Sequence, residues 1–183
     1  MTTATRIDWS KMQGSRLSRN LGQDVDSYFT ALGRDGAEEI QETSRLLSGI
    51  PGLRATIAAM PLPVSVLNEK AQVVLTNLQW NESLGQEPEF ALGKRHGELF
   101  GCSHSDEGPD GCSTGLSCAS CGAAGSIAES QQFQEQVTRE YRLDRETPEG
   151  REVAEWRITT TPIQLDDRSL SIFVVQDMQT AIP

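Results

Sequence analysis

"VSVLNEKAQVVLTN", residues 64–77, decides the fold. Two apolar, β-branched runs, "VSVLN" and "QVVLTN", flank the polar "NEKA", so the segment reads as two strands of a hairpin. On its N-terminal side "LRATIAAM", residues 53–60, reads as a short helix that ends at Pro61, which lacks the amide a continuing helix requires. On its C-terminal side "LQWNESLG" places Trp80 and Leu84 four residues apart, on one face of a helical turn. Three strand-rich runs close the chain: "EQVTREYRLDRE", "REVAEWRITTTPIQL" and "SLSIFVVQDMQ", separated by the turn signals "TPEG" and "DDRS". In the first, Val137, Tyr141 and Leu143 share one parity, and Arg139 on that parity fits an edge strand. In the second, Val153 and Trp156 fall on opposite parities, so its alternation is imperfect. "GAAGSIAESQQF", residues 122–133, reads as a helix. The order of helix, two strands, helical middle and three strands predicts an α+β fold, with strands in antiparallel hairpins and helices gathered on one face.

Upstream, residues 20–50 have helical periodicity. Leu21, Val25, Phe29 and Leu32 recur at spacings of three and four, and Ile40, Leu46 and Leu47 resume the stripe after "GRDG". An apolar stripe of this kind is a docking face, for the domain behind it or for a second copy of the chain, so this N-terminal helical extension is the expected dimerisation segment. Residues 1–19 are a polar arm without the apolar core of a secretory signal. No apolar run approaches the roughly 20 residues of a membrane span. Lys and Arg number 16 against 26 Asp and Glu, a net charge of −10. That field repels phosphate backbones and anionic lipid, so neither nucleic acid nor membrane is an expected partner. The expected location is the cytoplasm, where thiols stay reduced.

All four cysteines of the chain lie in "GCSHSDEGPDGCSTGLSCASCG", residues 101–122, with the spacing C-x9-C-x5-C-x2-C. The C-x2-C pair, Cys118 and Cys121, brings two sulfurs to one point through a tight turn, and Cys102 and Cys112 complete a set of four. Four thiolates suit a structural zinc or an iron–sulfur cluster. Unliganded thiolates repel each other, a cost that a cation removes. Three other readings compete. Buried cysteines acting as small hydrophobes would scatter among strands and helices. Two disulfides need an oxidising compartment. A redox dithiol at Cys118 and Cys121 leaves Cys102 and Cys112 unexplained. Tetrathiolate spacing does not separate zinc from iron–sulfur. Zinc would pin a loop too polar to pack by itself; against it stands the single C-x2-C knuckle, where zinc ribbons use two. The expected ligands are therefore Cys102, Cys112, Cys118 and Cys121, around an iron–sulfur cluster with zinc as the alternative. His96 and His104 flank the first cysteine and stay outside the ligand set, each able to donate a hydrogen bond to a sulfur.

The stretch "LRATIAAMPLPVSVLNEKAQVVLTNLQWNESLG" resembles the entry of a PAS sensory domain, and "SLSIFVVQDMQ" resembles its last strand, with Asp177 in the closing dipeptide. The resemblance spans residues 53–180 and implies a five-stranded antiparallel sheet with helices over one face, a ligand pocket beneath them, and dimerisation through a flanking helix. "ALGKRHGELFGCSHSDEGPDGCSTGLSCASCGAAGSI" resembles a cysteine-bearing variant of PAS domains from bacterial signalling proteins. Some cysteine-bearing PAS sensors hold an iron–sulfur cluster that responds to oxygen or redox state, although their cysteine spacing differs from this one. No Walker loop, G-x-S-x-G elbow or H-E-x-x-H helix is present, so an enzyme is not expected. The acidic pairs Asp24 and Asp26, Glu38 and Glu39, and Asp166 and Asp167 read as solvated faces or turns. The expected function is a PAS-type module that senses redox state or oxygen and signals through a separate output protein. A zinc-stabilised interaction module and a small iron–sulfur electron carrier are the alternatives.

Overall fold

The computed structural model of the protein describes residues 33–147 and 150–177. The first stripe of the N-terminal segment, Leu21 to Leu32, lies outside the described residues, as does the polar arm. Five strands, β1 (Val64–Leu67), β2 (Val73–Thr76), β3 (Val137–Thr147), β4 (Gly150–Leu165) and β5 (Arg168–Asp177), form one sheet in the order β2-β1-β5-β4-β3. Every neighbouring pair is antiparallel. The last strand is therefore the middle of the sheet, bonded to β1 on one side and β4 on the other. That position explains its nearly unbroken apolar run: Phe173 and Val175 face one side while Leu170, Ile172 and Val174 face the other, and both sides are covered.

Among the described residues, six α-helices flank the sheet: α1 (Ala37–Gly49), α2 (Leu53–Ala58), α3 (Leu78–Leu84), α4 (Pro88–Ala91), α5 (His96–Leu99) and α6 (Gly122–Phe133). The segments α3 to α6 lie over one face, where Trp80, Ala91, Leu99, Phe100, Ala123 and Ile127 pack on Leu67, Val73, Tyr141, Leu143, Trp156, Ile158 and Phe173. Trp80 meets Phe100 and Phe173 edge-on, at centroid distances of 5.1 and 6.2 Å, and Phe100 meets Trp156 at 4.7 Å. The irregular alternation in β4 resolves here. Ala154, Trp156, Ile158 and Thr160 point inward, and Val153 belongs to the opposite face.

The opposite face is partly covered as well. Ile40 and Leu47 of α1 and Ile57 of α2 pack on Val64, Val66, Val74 and Leu170. The second half of the N-terminal stripe thus docks on its own domain, leaving Leu46 exposed. No helix among the described residues is long and apolar enough to cross a membrane.

Two devices fix the helices to the sheet. Asn77 follows β2, and its side chain accepts hydrogen bonds from the amides of Val64 and Trp80 at 2.9 and 3.0 Å while donating to Leu62 O at 2.8 Å. One side chain thereby joins the start of β1 to the N-cap of α3. Helix α6 approaches β3 closely because its first turn is small. A Cβ on Gly122 would stand 2.2 Å from Glu140 O, so only glycine fits there. Ser126 then bonds the Thr160 hydroxyl at 2.9 Å. Arg139 sits on the edge strand β3 and donates twice to Glu129 of α6, at 3.1 and 2.6 Å.

Candidate functional site

The cysteine loop runs from α5 to α6 and lies against the far part of β3. Each sulfur-bearing residue has its own backbone anchor. The Cys102 amide donates to Gly97 O at 2.8 Å, and the Ser103 amide reaches Asp144 O of β3 at 3.0 Å. Cys112 follows the loop bend at Gly111. Cys118 sits in the 3-10 turn Leu116–Ser120, its amide bonded to Gly115 O at 3.1 Å. Cys121 is the N-cap of α6 and accepts the Gly125 amide at 2.9 Å. All four are free thiols; Cys112 and Cys118 are buried, Cys102 and Cys121 half-buried.

Gly97 explains how Cys112 reaches the interior. A Cβ at that position would lie 2.6 Å from Cys112 Sγ and 3.2 Å from the Cβ atoms of Cys102 and Cys112, so the missing side chain leaves the room that both cysteines occupy. His96, beside it, is 2 % exposed. Its ring stacks on Phe173 at 5.3 Å, and Nε2 lies 3.8 Å from Cys112 Sγ, within sulfur hydrogen-bond range. His96 Nδ1 is buried with no hydrogen-bond partner among the described residues. His104 instead is half-exposed beside Glu107 at 3.8 Å, a contact of the loop surface.

The thiols feel one another. Burial, and then the neighbouring Cys112, push the Cys102 thiol up. Burial pushes Cys118 up, with Cys112 and Cys102 adding to it. Burial also raises Cys112, against the pull of its bonds from Ser113 and Gly97 and the positive charge of Arg95. Tyr141 is the inward residue of β3 nearest the group. Its phenol is pushed far up by burial and then by Cys121, Cys102 and Cys112. The four sulfurs therefore share a neighbourhood without forming a finished cage. Among the described residues no three His, Cys, Asp or Glu side chains are arranged to hold a metal ion. The donor set still fits a thiophilic metal: four sulfurs, no carboxylate among them, and a glycine cradle at Gly97. Ligation would remove the protons that burial now holds on.

A second set of side chains secures the loop. Arg95, fully buried, donates to Lys70 O at 2.9 Å, to Asp110 O and Cys112 O at 3.0 and 2.9 Å, and to Gly33 O at 3.1 Å. Arg34 pairs with Glu98 and donates to Asp110 O at 2.7 Å. Burial alone would raise the Glu98 carboxyl, but the Arg34 hydrogen bond and the Arg95 amide hold it below the usual carboxylate range. Sequence reasoning reached the four cysteines and missed Arg95, Gly97 and Tyr141. Tyr141 carried a signal in its inward parity, and Arg95 carried one as a cation directly before the histidine at the loop's entry.

No sequence model of a known family and no curated protein matches the chain. Similar folds occur among solved structures. The PAS domain of an HTR-like protein from Haloarcula marismortui is 15% identical over 69% of this chain and 94% of that one, with a TM-score of 0.46. A LOV protein from Rhodobacter sphaeroides is 14% identical over 80% and 70%, with a TM-score of 0.48. The PAS domain of nitrogen regulation protein NR(II) from Vibrio parahaemolyticus is 9% identical over 68% and 96%, at 0.47. At these values the likeness is one of backbone course alone.

Proposed function

We propose that this chain is a PAS-type sensory module in which Cys102, Cys112, Cys118 and Cys121 hold an iron–sulfur centre that responds to redox state or oxygen. The reading rests on one observation: the chain's only four cysteines lie between α5 and α6, with Cys112 seated beside Cys102 in the space left open at Gly97 and Cys118 buried in the 3-10 turn that leads into Cys121. A bound centre would supply one-electron or cluster-loss chemistry sensitive to oxidant. The protein's own groups would set its surroundings. His96 and Tyr141 flank the sulfurs on the side of the sheet, and Gly97 makes room for Cys112. Cys121 stands at the N-cap position of α6, so a change at the end of the loop would be passed through the backbone to the helix that packs on β3 and β4. Output would pass to a separate protein, and self-association would use residues upstream of α1, since α1 is committed to its own sheet.

Anaerobically purified protein tests this reading. Iron and acid-labile sulfide in matched amounts, with brown colour and visible absorption, are expected. Replacement of Cys118 or Cys121 by Ser should abolish both, because each variant breaks the C-x2-C chelate. Stoichiometric zinc in colourless protein would replace the sensor with a stapled interaction module. Full metal content after a cysteine replacement would remove that residue from the ligand set.

A further inference from the structure

We propose that Arg95 is the positioning residue of the four-cysteine centre: its buried guanidinium sets the Cys112 strand of the loop and balances the charge of the metal-bound thiolates. This inference rests on the metal-site reading above and names a residue that acts through the ligands and not as one.

A tetrathiolate centre around a divalent ion carries two net negative charges, and placing it in a chain already strongly acidic is unfavourable. A buried cation next to the sulfurs offsets that cost. The arginines near the loop differ. Arg145 of β3 meets Cys102 through a backbone bridge, and its guanidinium goes to Glu152. Arg34 is one-third exposed and pairs with the Glu98 carboxylate. Arg95 is 0 % exposed, and its planar fork spans three segments at once: Lys70 O in the β1–β2 turn, Asp110 O and Cys112 O in the cysteine loop, and Gly33 O at the start of the described chain. The bond to Cys112 O is made on the ligand residue itself, so the guanidinium fixes the backbone from which Sγ projects. A lysine cannot reproduce this arrangement, because one ammonium lacks the rigid fork that reaches divergent carbonyls.

The probe is cobalt(II) alone, added anaerobically to the reduced, metal-free full-length chain. Thiolate-to-cobalt absorption reports the number of sulfurs bound, and competition with a chelator reports affinity. Arg95→Gln should weaken cobalt binding about 10–100-fold, the range for losing a group that orients a ligand. Arg95→Lys should weaken it less than Gln, by about 10-fold, with altered thiolate-to-cobalt bands because Cys112 is no longer held. Arg34→Gln, which also loses a bond to Asp110 O, should leave affinity within about 3-fold of the original and the bands unchanged. Circular dichroism checks folding, and if the Gln variant does not fold, the Lys variant decides alone. Unchanged affinity in a folded Arg95 variant, or equal loss in Arg34→Gln, overturns the role of Arg95 and leaves the metal site standing. Absence of thiolate-to-cobalt absorption in the original protein overturns the metal-site reading itself, and this inference with it.

Discussion

Gly97 and Cys112 occupy one space between them, and the pair makes the most local test of the site. A methyl group at Gly97 would sit 2.6 Å from Cys112 Sγ, far inside contact distance. Gly97→Ala should therefore displace Cys112, lower stability by about 1–3 kcal/mol as overpacking does, and reduce metal binding. Urea denaturation and metal analysis of the variant check both effects; unchanged values would place Cys112 elsewhere. The thiols give a second test through pH. Burial raises Cys102, Cys112 and Cys118 above their ordinary values. Their folded values exceed those of the unfolded chain, near 8.5. Their contribution is thus complete below that pH and lost as pH rises through the raised folded values. The urea midpoint of metal-free protein should fall between about pH 7.5 and pH 10, and fall less in Cys112→Ser. An identical fall in both proteins would contradict the burial of Cys112. Metal affinity should run the other way and increase with pH, because binding releases thiol protons.

Helix α6 is where the loop meets the sheet, and its first residue is the sensitive one. Gly122→Ala puts a methyl carbon 2.2 Å from Glu140 O, which is backbone and cannot rotate away. The helix must lift from β3, and the Ser126–Thr160 and Arg139–Glu129 contacts should weaken with it. Amide exchange in 122–133 and 137–147 should rise together; a rise in the helix alone would contradict close packing. This element was readable in advance: residues 122–133 match α6 end to end, and the hairpin at 64–77 and the three long strands lie where alternation put them. Segments α4, α5 and the 3-10 turn were not readable, because four or five residues do not complete a periodic pattern. The cysteines were legible as a set because composition isolates them. Their surroundings were legible only in part: His96 stood out beside the first cysteine, whereas Arg95 and Tyr141 offered weak signals, a cation before that histidine and an inward parity, that do not specify contact with the loop.

At the scale of the whole molecule, α1 of the N-terminal segment packs on the sheet, and self-association is proposed for the residues upstream of it. Removal of residues 1–32 should leave the domain stable and shift any dimer toward monomer, whereas removal of residues 1–48 also strips Ile40 and Leu47 from the sheet. That second loss should cost about 3–6 kcal/mol at ~1.5–3 kcal/mol for each buried side chain. Light scattering and urea denaturation distinguish the two effects, and equal stability of the two truncations would contradict the packing of α1. The sensor reading itself makes a claim about the entire fold. Thiol chemistry at the loop must reach β5, the strand in the middle of the sheet, if the protein is more than a stapled scaffold. Hydrogen exchange of the metal-loaded protein, before and after mild peroxide, tests this most directly. The account predicts reversible loss of protection in residues 101–129 that spreads to residues 168–177. Unchanged exchange with metal retained, or a change confined to the loop, would contradict it.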